Sequence, residues 1–155
     1  MLALAACAVP GPPPAPGIDV TVAAVVDGDT LLVDGLGPER ELVRLIGIDA
    51  PETGAGRTTR ECYGPEARSW LAGQAPRGSR VRLVADAGER DRFGRRLAYV
   101  HRPDGVFLNA AVVENGYART MTIRPNVRHA GELQALEARA RAGARGLWGA
   151  CRNAR

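Results

Sequence analysis

The chain has 155 residues, of which 45% are hydrophobic and 25% are charged, and its formal net charge is +4. This length supports one domain with a hydrophobic core and excludes two, and the composition is that of an ordinary soluble globular protein. The basic balance fits a polyanionic partner but does not require one.

The first 17 residues, MLALAACAVPGPPPAPG, carry no charge and contain five prolines, all between positions 10 and 16. Prolines at this density keep a chain extended, so we interpret the segment as a tether. LALAAC resembles the end of a bacterial lipoprotein signal, in which Cys7 would carry the lipid, although the apolar run is short and no basic residue precedes it. We expect a truncated export signal, and hence a cell-surface lipoprotein or a secreted protein. A disordered apolar N-terminus is the alternative.

Residues 18 to 151 form the expected domain, and 152 to 155 a tail. Three alternating, β-branched stretches open it, at 18–26, 30–34 and 41–49, separated by the turn signals DGD and DGLGP. They predict a three-stranded antiparallel meander. Beyond residue 17, no segment is long enough to span a membrane.

A helix is predicted near 63–75, where Ala67, Trp70 and Leu71 follow helical spacing. Strands at 79–86 and 95–102 come next, then a helix over 106–116 and a third helix over about 130–143. Five strands with a helix between the third and the fourth is the order of an OB-fold, a small Greek-key barrel that often binds nucleic acid. The predicted class is therefore α+β, a five-stranded OB-fold barrel with three helices.

Cys62 and Cys151 are the cysteines that remain if Cys7 is lipidated. An exported protein is expected to join such an even pair as a disulfide. The alternative is two buried free thiols.

Carboxylates interrupt the apolar pattern at the ends of two predicted strands. Asp29 opens the second strand and Asp49 closes the third, so pairing of these strands would bring the two carboxylates together. Adjacent like charges need a neutralising cation or proton. Oxygen ligands without histidine or cysteine suit a hard cation, Ca²⁺ or Mg²⁺. The carbonyl of Ala50, held extended before proline, is a further candidate ligand.

Glu52 lies three residues beyond Asp49, where it could act as a general base on water near a bound metal. Arg44 stands in an otherwise apolar series and must meet an anion, because a buried unpaired arginine is very costly. Simple alternation, however, would put Arg44 and Asp49 on opposite faces of one strand, so a bulge or a bend of the barrel is needed to bring both to one site. Arg95 is a second candidate phosphate ligand.

Six stretches in this order resemble the staphylococcal nuclease family: VVDGDT, RLIGIDAPET, YGPEARSWL, DRFGRRLAYV, LNAAVVENGYA and GLW. The resemblance covers about residues 18 to 149 and implies the same OB-type barrel with three helices. It also implies Ca²⁺-dependent hydrolysis of DNA and RNA, single-stranded or as frayed duplex, by a monomer that releases 3′-phosphorylated products.

Residue by residue, the resemblance implies that Asp29, Asp49 and the carbonyl of Ala50 bind calcium. Glu52 matches the general base, and Arg44 and Arg95 match the two arginines that stabilise the phosphate. The expected nucleotide-binding residues are Arg92, Phe93, Met121 and Ile123. The last three depart from the family pattern, because each stands where the family has a tyrosine. These changes bring base stacking into question, since an aromatic contributes roughly 1–3 kcal/mol per base.

A non-catalytic OB-fold module that binds nucleic acid is the alternative function. Such modules typically lose the carboxylates or the arginines, and this chain has kept them. The enzyme is therefore the favoured interpretation.

Overall fold

The structure is a computed structural model that describes residues 16–54 and 59–151. Strand pairing organises this part of the chain. In chain order the elements are β1 Ile18–Asp27, β2 Thr30–Asp34, β3 Glu41–Leu45, β4 Ile48–Asp49, α1 Gly64–Gln74, β5 Arg80–Val84, β6 Arg96–His101, α2 Leu108–Glu114, β7 Arg119–Thr120, α3 Ala130–Ala142 and α4 Leu147–Ala150. The expectations for residues 1–15, including Cys7, and for the tail at 152–155 lie outside the described residues.

A closed barrel is formed by β1, β2, β3, β6 and β5, in that order around the barrel. The pairs β1–β2 and β2–β3 are antiparallel, which confirms the predicted meander. β3 and β6 pair in parallel, and β5 closes the barrel against β1. This is the predicted five-stranded OB-fold barrel.

The barrel core comes from alternate residues of the strands, as the apolar alternation requires. Val22, Leu31, Val33 and Val43 are among the fully buried side chains, and the apolar faces of the helices cover them. On those faces Ala67, Leu71, Leu108, Val112, Leu133, Leu136 and Ala140 are buried, and Trp70 and Ala111 are partly buried.

The structure differs from the predicted elements in two places. The stretch 41–49 is not one strand, because it breaks at Ile46 and Gly47 and its last two residues form β4, which pairs with β7 outside the barrel. The helices also include a fourth, α4, which is only four residues long and therefore shows no helical periodicity in the sequence. Nowhere in the described ranges does a helix have the length and apolar character needed to cross a membrane.

A disulfide joins Cys62 to Cys151, with the two Cα atoms 6.0 Å apart, and this confirms the predicted pair. Cys62 lies just before α1 and Cys151 just after α4, 89 residues further along the chain. Closing a loop of this length restricts the unfolded chain more than the folded one. The disulfide therefore acts on the stability of the whole barrel.

Replacing both Cys62 and Cys151 with serine should lower the free energy of unfolding by about 2–4 kcal/mol, because the unfolded chain regains the entropy of an open loop. Urea denaturation of the oxidised protein and of the double variant measures the difference. As a control, reductant should weaken the wild type to the level of the variant and leave the variant unchanged. Equal stability of the oxidised wild type and the variant would contradict the prediction.

Candidate active site

The side chain of Arg44 joins the two strand-end carboxylates. Its Nη2 lies 3.2 Å from Asp29 Oδ2 and 3.1 Å from Asp49 Oδ1. The arginine and Asp29 side chains are only 10% and 9% exposed, whereas that of Asp49 is 52% exposed. Arg44 also donates from Nη1 to the carbonyls of Leu45 and Ile48, at 2.9 and 2.8 Å. These acceptors offset the cost of taking the guanidinium charge out of water.

The break between β3 and β4 explains how Arg44 and Asp49 reach the same place. Gly47 has a φ of +81°, a left-handed conformation that side chains rarely adopt, so the chain turns after Leu45 and the alternation restarts. A side-chain atom at Gly47 would also lie 2.6 Å from Leu133 Cδ1 of α3. This break is the bend that simple alternation would need to bring Arg44 and Asp49 to one site.

The carboxylate of Asp29 is fixed by two hydrogen bonds, one to each oxygen. Thr30 Oγ1 donates to Asp29 Oδ1 at 2.8 Å, and the backbone N–H of Ala50 donates to Oδ2 at 2.7 Å. Thr30 is also the register partner of Arg44 across β2 and β3. The barrel strands therefore hold Asp29 beside both Arg44 and Ala50, as the predicted strand pairing requires.

Two carboxyl groups near this cluster bind protons more readily than usual. Burial raises the pKa of Asp49, and the neighbouring Asp29 raises it further. Burial likewise raises the pKa of Glu52, with added repulsion first from Asp27 and then from Asp29. The carboxylates thus repel one another although Arg44 is present, which is the situation that a bound cation relieves.

The donor chemistry of the cluster fits a hard cation. Carboxylates of Asp29 and Asp49 and the carbonyl of Ala50 are oxygen ligands of the kind that Ca²⁺ and Mg²⁺ prefer. In residues 16–54 and 59–151, no three or more His, Cys, Asp or Glu side chains form a ready-made metal site. Water would have to complete the coordination shell, as it commonly does for such ions.

Arg95 is held by a loop that Asp91 organises. Asp91 Oδ2 accepts a hydrogen bond from Arg95 Nε at 2.7 Å, while Oδ1 accepts the backbone N–H groups of Phe93 and Arg95. Burial raises the pKa of Asp91, but these hydrogen bonds outweigh it and bring the pKa below its usual value. Asp91 therefore stays ionised and holds the guanidinium of Arg95 in one orientation.

A groove of about 590 Å³ brings Arg44 and Arg95 together with the four predicted substrate-binding residues, Arg92, Phe93, Met121 and Ile123. Phe93 is 68% exposed, and the guanidinium carbons of Arg92 and Arg95 lie 4.7 and 5.4 Å from the centre of its ring. The groove is thus lined both by arginines and by exposed apolar side chains. Arg44 belongs both to the groove and to the carboxylate cluster.

Asn109 is a positioning residue that the sequence analysis missed. Its buried side chain donates to the carbonyl of Ile46 at 2.8 Å and accepts the N–H of Val100 at 2.9 Å, so α2 holds the turn that separates β3 from β4. A polar residue directly after Leu108, within an apolar helix, was the available signal.

The fold and the site together define a class of protein, a small OB-type barrel in which Arg44 joins a carboxylate cluster to a groove lined by arginines. A family model described as staphylococcal nuclease homologue matches residues 42–150. The chain belongs to the staphylococcal nuclease family.

Individual relatives support the same assignment. The thermonuclease of Staphylococcus hyicus is 35% identical over 127 residues, which cover 82% of this chain and 73% of that protein. The thermonuclease of Staphylococcus intermedius is 39% identical over 110 residues, covering 71% of this chain and 64% of that protein. Endonuclease YhcR of Bacillus subtilis is 30% identical over 147 residues, which are 90% of this chain but only 12% of the relative.

Replacing Gly47 with alanine should lower the free energy of unfolding by about 2–4 kcal/mol, because the new methyl group would be strained at positive φ and would collide with Leu133. Urea denaturation measures the loss. Gly37→Ala is the matched control, since a side-chain atom at Gly37 meets nothing within 4 Å. If both variants are equally stable, the turn at Gly47 does not have the role described.

Proposed function

We propose that this protein is a Ca²⁺-dependent nuclease that hydrolyses phosphodiester bonds of DNA and RNA with little sugar specificity and leaves 3′-phosphate products. The observation that carries the proposal is the position of Arg44, which lines the groove and also contacts Asp29 and Asp49. A phosphate in the groove would therefore lie beside the carboxylate cluster. Relatives named thermonuclease and endonuclease support the same activity.

In the proposed reaction, Arg44 and Arg95 bind the scissile phosphate from the groove. Guanidinium groups donate in a planar fork that matches phosphate oxygens, and their positive charge stabilises the negative charge that develops during hydrolysis. Asp91 orients Arg95, and the backbone carbonyls of Leu45 and Ile48 orient Arg44. These contacts hold both guanidinium groups in fixed orientations before a substrate binds, which favours catalysis.

Glu52 is the proposed general base, which takes a proton from the attacking water. Its pKa is raised by burial and by the surrounding carboxylates, and a stronger base accepts a proton more readily. Asp29, Asp49 and the carbonyl of Ala50 would hold the calcium ion. When bound, the ion supplies positive charge that stabilises the reacting phosphate.

A purely structural role for the cluster explains less. Even beside Arg44, the pKa of Asp49 stays raised, first by burial and then by Asp29, so the carboxylates keep a repulsion that a bound cation would relieve. A binding module without catalysis would likewise have no use for a carboxylate cluster, because carboxylates repel phosphates. The combination favours hydrolysis over binding alone.

Export of the protein is also part of the proposal. Disulfides persist in oxidising compartments and are rare in the cytosol, and Cys62–Cys151 is formed in the structure. We propose a monomer at the cell surface or in the medium, with Cys7 as the site of lipid attachment if an anchor is present.

Replacing Glu52 with glutamine should reduce kcat on plasmid DNA and on RNA about 100-fold or more, because a general base contributes roughly 10²–10⁴-fold. Removal of Ca²⁺ with a chelator should abolish cleavage, and added Ca²⁺ should restore it. Glu39→Gln, at an exposed position away from the cluster, is the matched control and should keep wild-type activity. Cleavage that survives chelation or the Glu52 substitution would overturn the mechanism.

Tyrosines at 121 and 123 should tighten binding. In the double variant Met121→Tyr, Ile123→Tyr, KM should fall about fivefold or more and base preference should change, since stacking on an aromatic is worth roughly 1–3 kcal/mol per base. Cleavage of single-stranded oligonucleotides of defined sequence measures both quantities. Val127→Tyr, which is exposed but is not part of the groove lining, should change neither. An unchanged KM and base preference in the double variant would show that nucleotides do not stack at these positions.

A further inference from the structure

Glu61 makes two hydrogen bonds to the backbone of Glu52. Glu61 Oε2 accepts a hydrogen bond from the N–H of Glu52 at 2.9 Å, and the N–H of Glu61 donates to the carbonyl of Glu52 at 2.9 Å. Both polar groups of the Glu52 backbone are thus satisfied by Glu61, although the two residues are nine positions apart in sequence. A hydrogen bond to an ionised acceptor is stronger than one between neutral groups.

The start of α1 is packed directly on the same peptide group. A side-chain atom at Gly64 would lie only 2.1 Å from the carbonyl oxygen of Glu52, so this close approach requires glycine. The N–H of Gly64 donates in turn to the carbonyl of Glu61 at 3.2 Å. The turn at residues 61–64 therefore fits against Glu52 from one side.

The disulfide attaches this turn to the far end of the chain. Cys62, directly after Glu61, is bonded to Cys151 at the end of α4. In α4 Leu147 is fully buried, and its N–H donates to the carbonyl of Gly116 at 2.8 Å. Glu61 is thus tied covalently to a well-packed part of the molecule, and it holds Glu52 in turn.

We infer that Glu61 is a positioning residue for Glu52 and that the Cys62–Cys151 disulfide anchors it. The inference rests on the proposed function, in which Glu52 is the general base. A base displaced by about 1 Å can lose as much as 10²-fold in rate. Loss of the Glu61 carboxyl oxygen would therefore lower kcat and leave substrate binding, which depends on the groove, intact.

The charge of Glu61 offers a rival explanation that experiment can separate. Its carboxylate contributes to the raised pKa of Glu52 and of Asp49. Glutamine at 61 removes the charge but keeps a carbonyl oxygen that accepts the N–H of Glu52, whereas alanine removes both. If Glu61 positions Glu52, kcat should therefore be lower in the alanine variant than in the glutamine variant. If only its charge matters, the two variants should lose the same amount of kcat.

The experiment compares Glu61→Ala and Glu61→Gln in steady-state cleavage of single-stranded DNA with saturating Ca²⁺. The alanine variant should lose about tenfold to 100-fold in kcat with KM within about twofold of wild type. The glutamine variant should stay within about threefold of wild type, because the hydrogen bond is retained. Glu66→Ala, an exposed glutamate in the first turn of α1, is the control and should behave as wild type.

Equal losses in both Glu61 variants would overturn positioning in favour of charge, and wild-type rates in both would overturn any role. Hydrogen exchange of the Glu52 amide, measured by NMR, is the second readout and does not depend on activity. Exchange should become at least about tenfold faster in Glu61→Ala and stay slow in Glu61→Gln. If Glu52→Gln keeps full activity, the proposed mechanism is wrong even where the exchange data show that the contact exists, so the two failures are distinguishable.

The anchor is tested with the Cys62→Ser, Cys151→Ser variant, at a temperature where circular dichroism shows it to be folded. Its kcat should fall with little change in KM, and exchange of the Glu52 amide should become faster than in the oxidised wild type. A folded variant with wild-type kcat and wild-type exchange would show that the disulfide does not anchor Glu61.

Discussion

The buried guanidinium of Arg44 is the interaction on which the rest of this site depends. Taking a positive charge out of water is costly unless acceptors surround it, and Arg44 has four within reach: the carboxylates of Asp29 and Asp49 and two backbone carbonyls. The carbonyls belong to Leu45 and Ile48, on either side of the break after β3. One side chain therefore stabilises the break, and the break in turn brings Asp49 to Asp29.

Side chains of α2 and α3 stabilise this arrangement through hydrogen bonds to the elements that carry it. Asn109 of α2 binds the carbonyl of Ile46 within the break. Glu137 of α3 accepts hydrogen bonds from the backbone and hydroxyl of Thr120, and it also binds Arg141. Because Thr120 lies in β7, which pairs with β4, the third helix is linked to the strand that carries Asp49. Helix packing and the geometry of the carboxylates are thus parts of one structure.

Local patterns in the sequence predicted what depends on local chemistry. Alternation identified the five barrel strands, and setting Cys7 aside left Cys62 and Cys151 as the pair to be joined. The pattern could not predict β4 and β7, because two-residue strands are too short to show a period. The sequence shows that residue 47 is glycine. Its positive φ, however, and the contact of Arg44 with Asp49 depend on packing against α3. The contacts of Asp91, Asn109 and Glu61 likewise depend on tertiary structure that short-range spacing does not encode.

The site divides into a constrained part and a part open to change. Arg44 contacts both Asp29 and Asp49, and Arg44 and Asp29 also bind backbone groups, so a substitution at any of the three leaves a buried or partly buried charge without a partner. Met121 and Ile123 have no such partners, because they are exposed apolar side chains in the groove. Changing them alters what the groove contacts without disturbing the carboxylate cluster. This physical separation explains how the chain can differ from the family pattern at the proposed nucleotide-binding positions and still keep the contacts of Arg44 with Asp29 and Asp49.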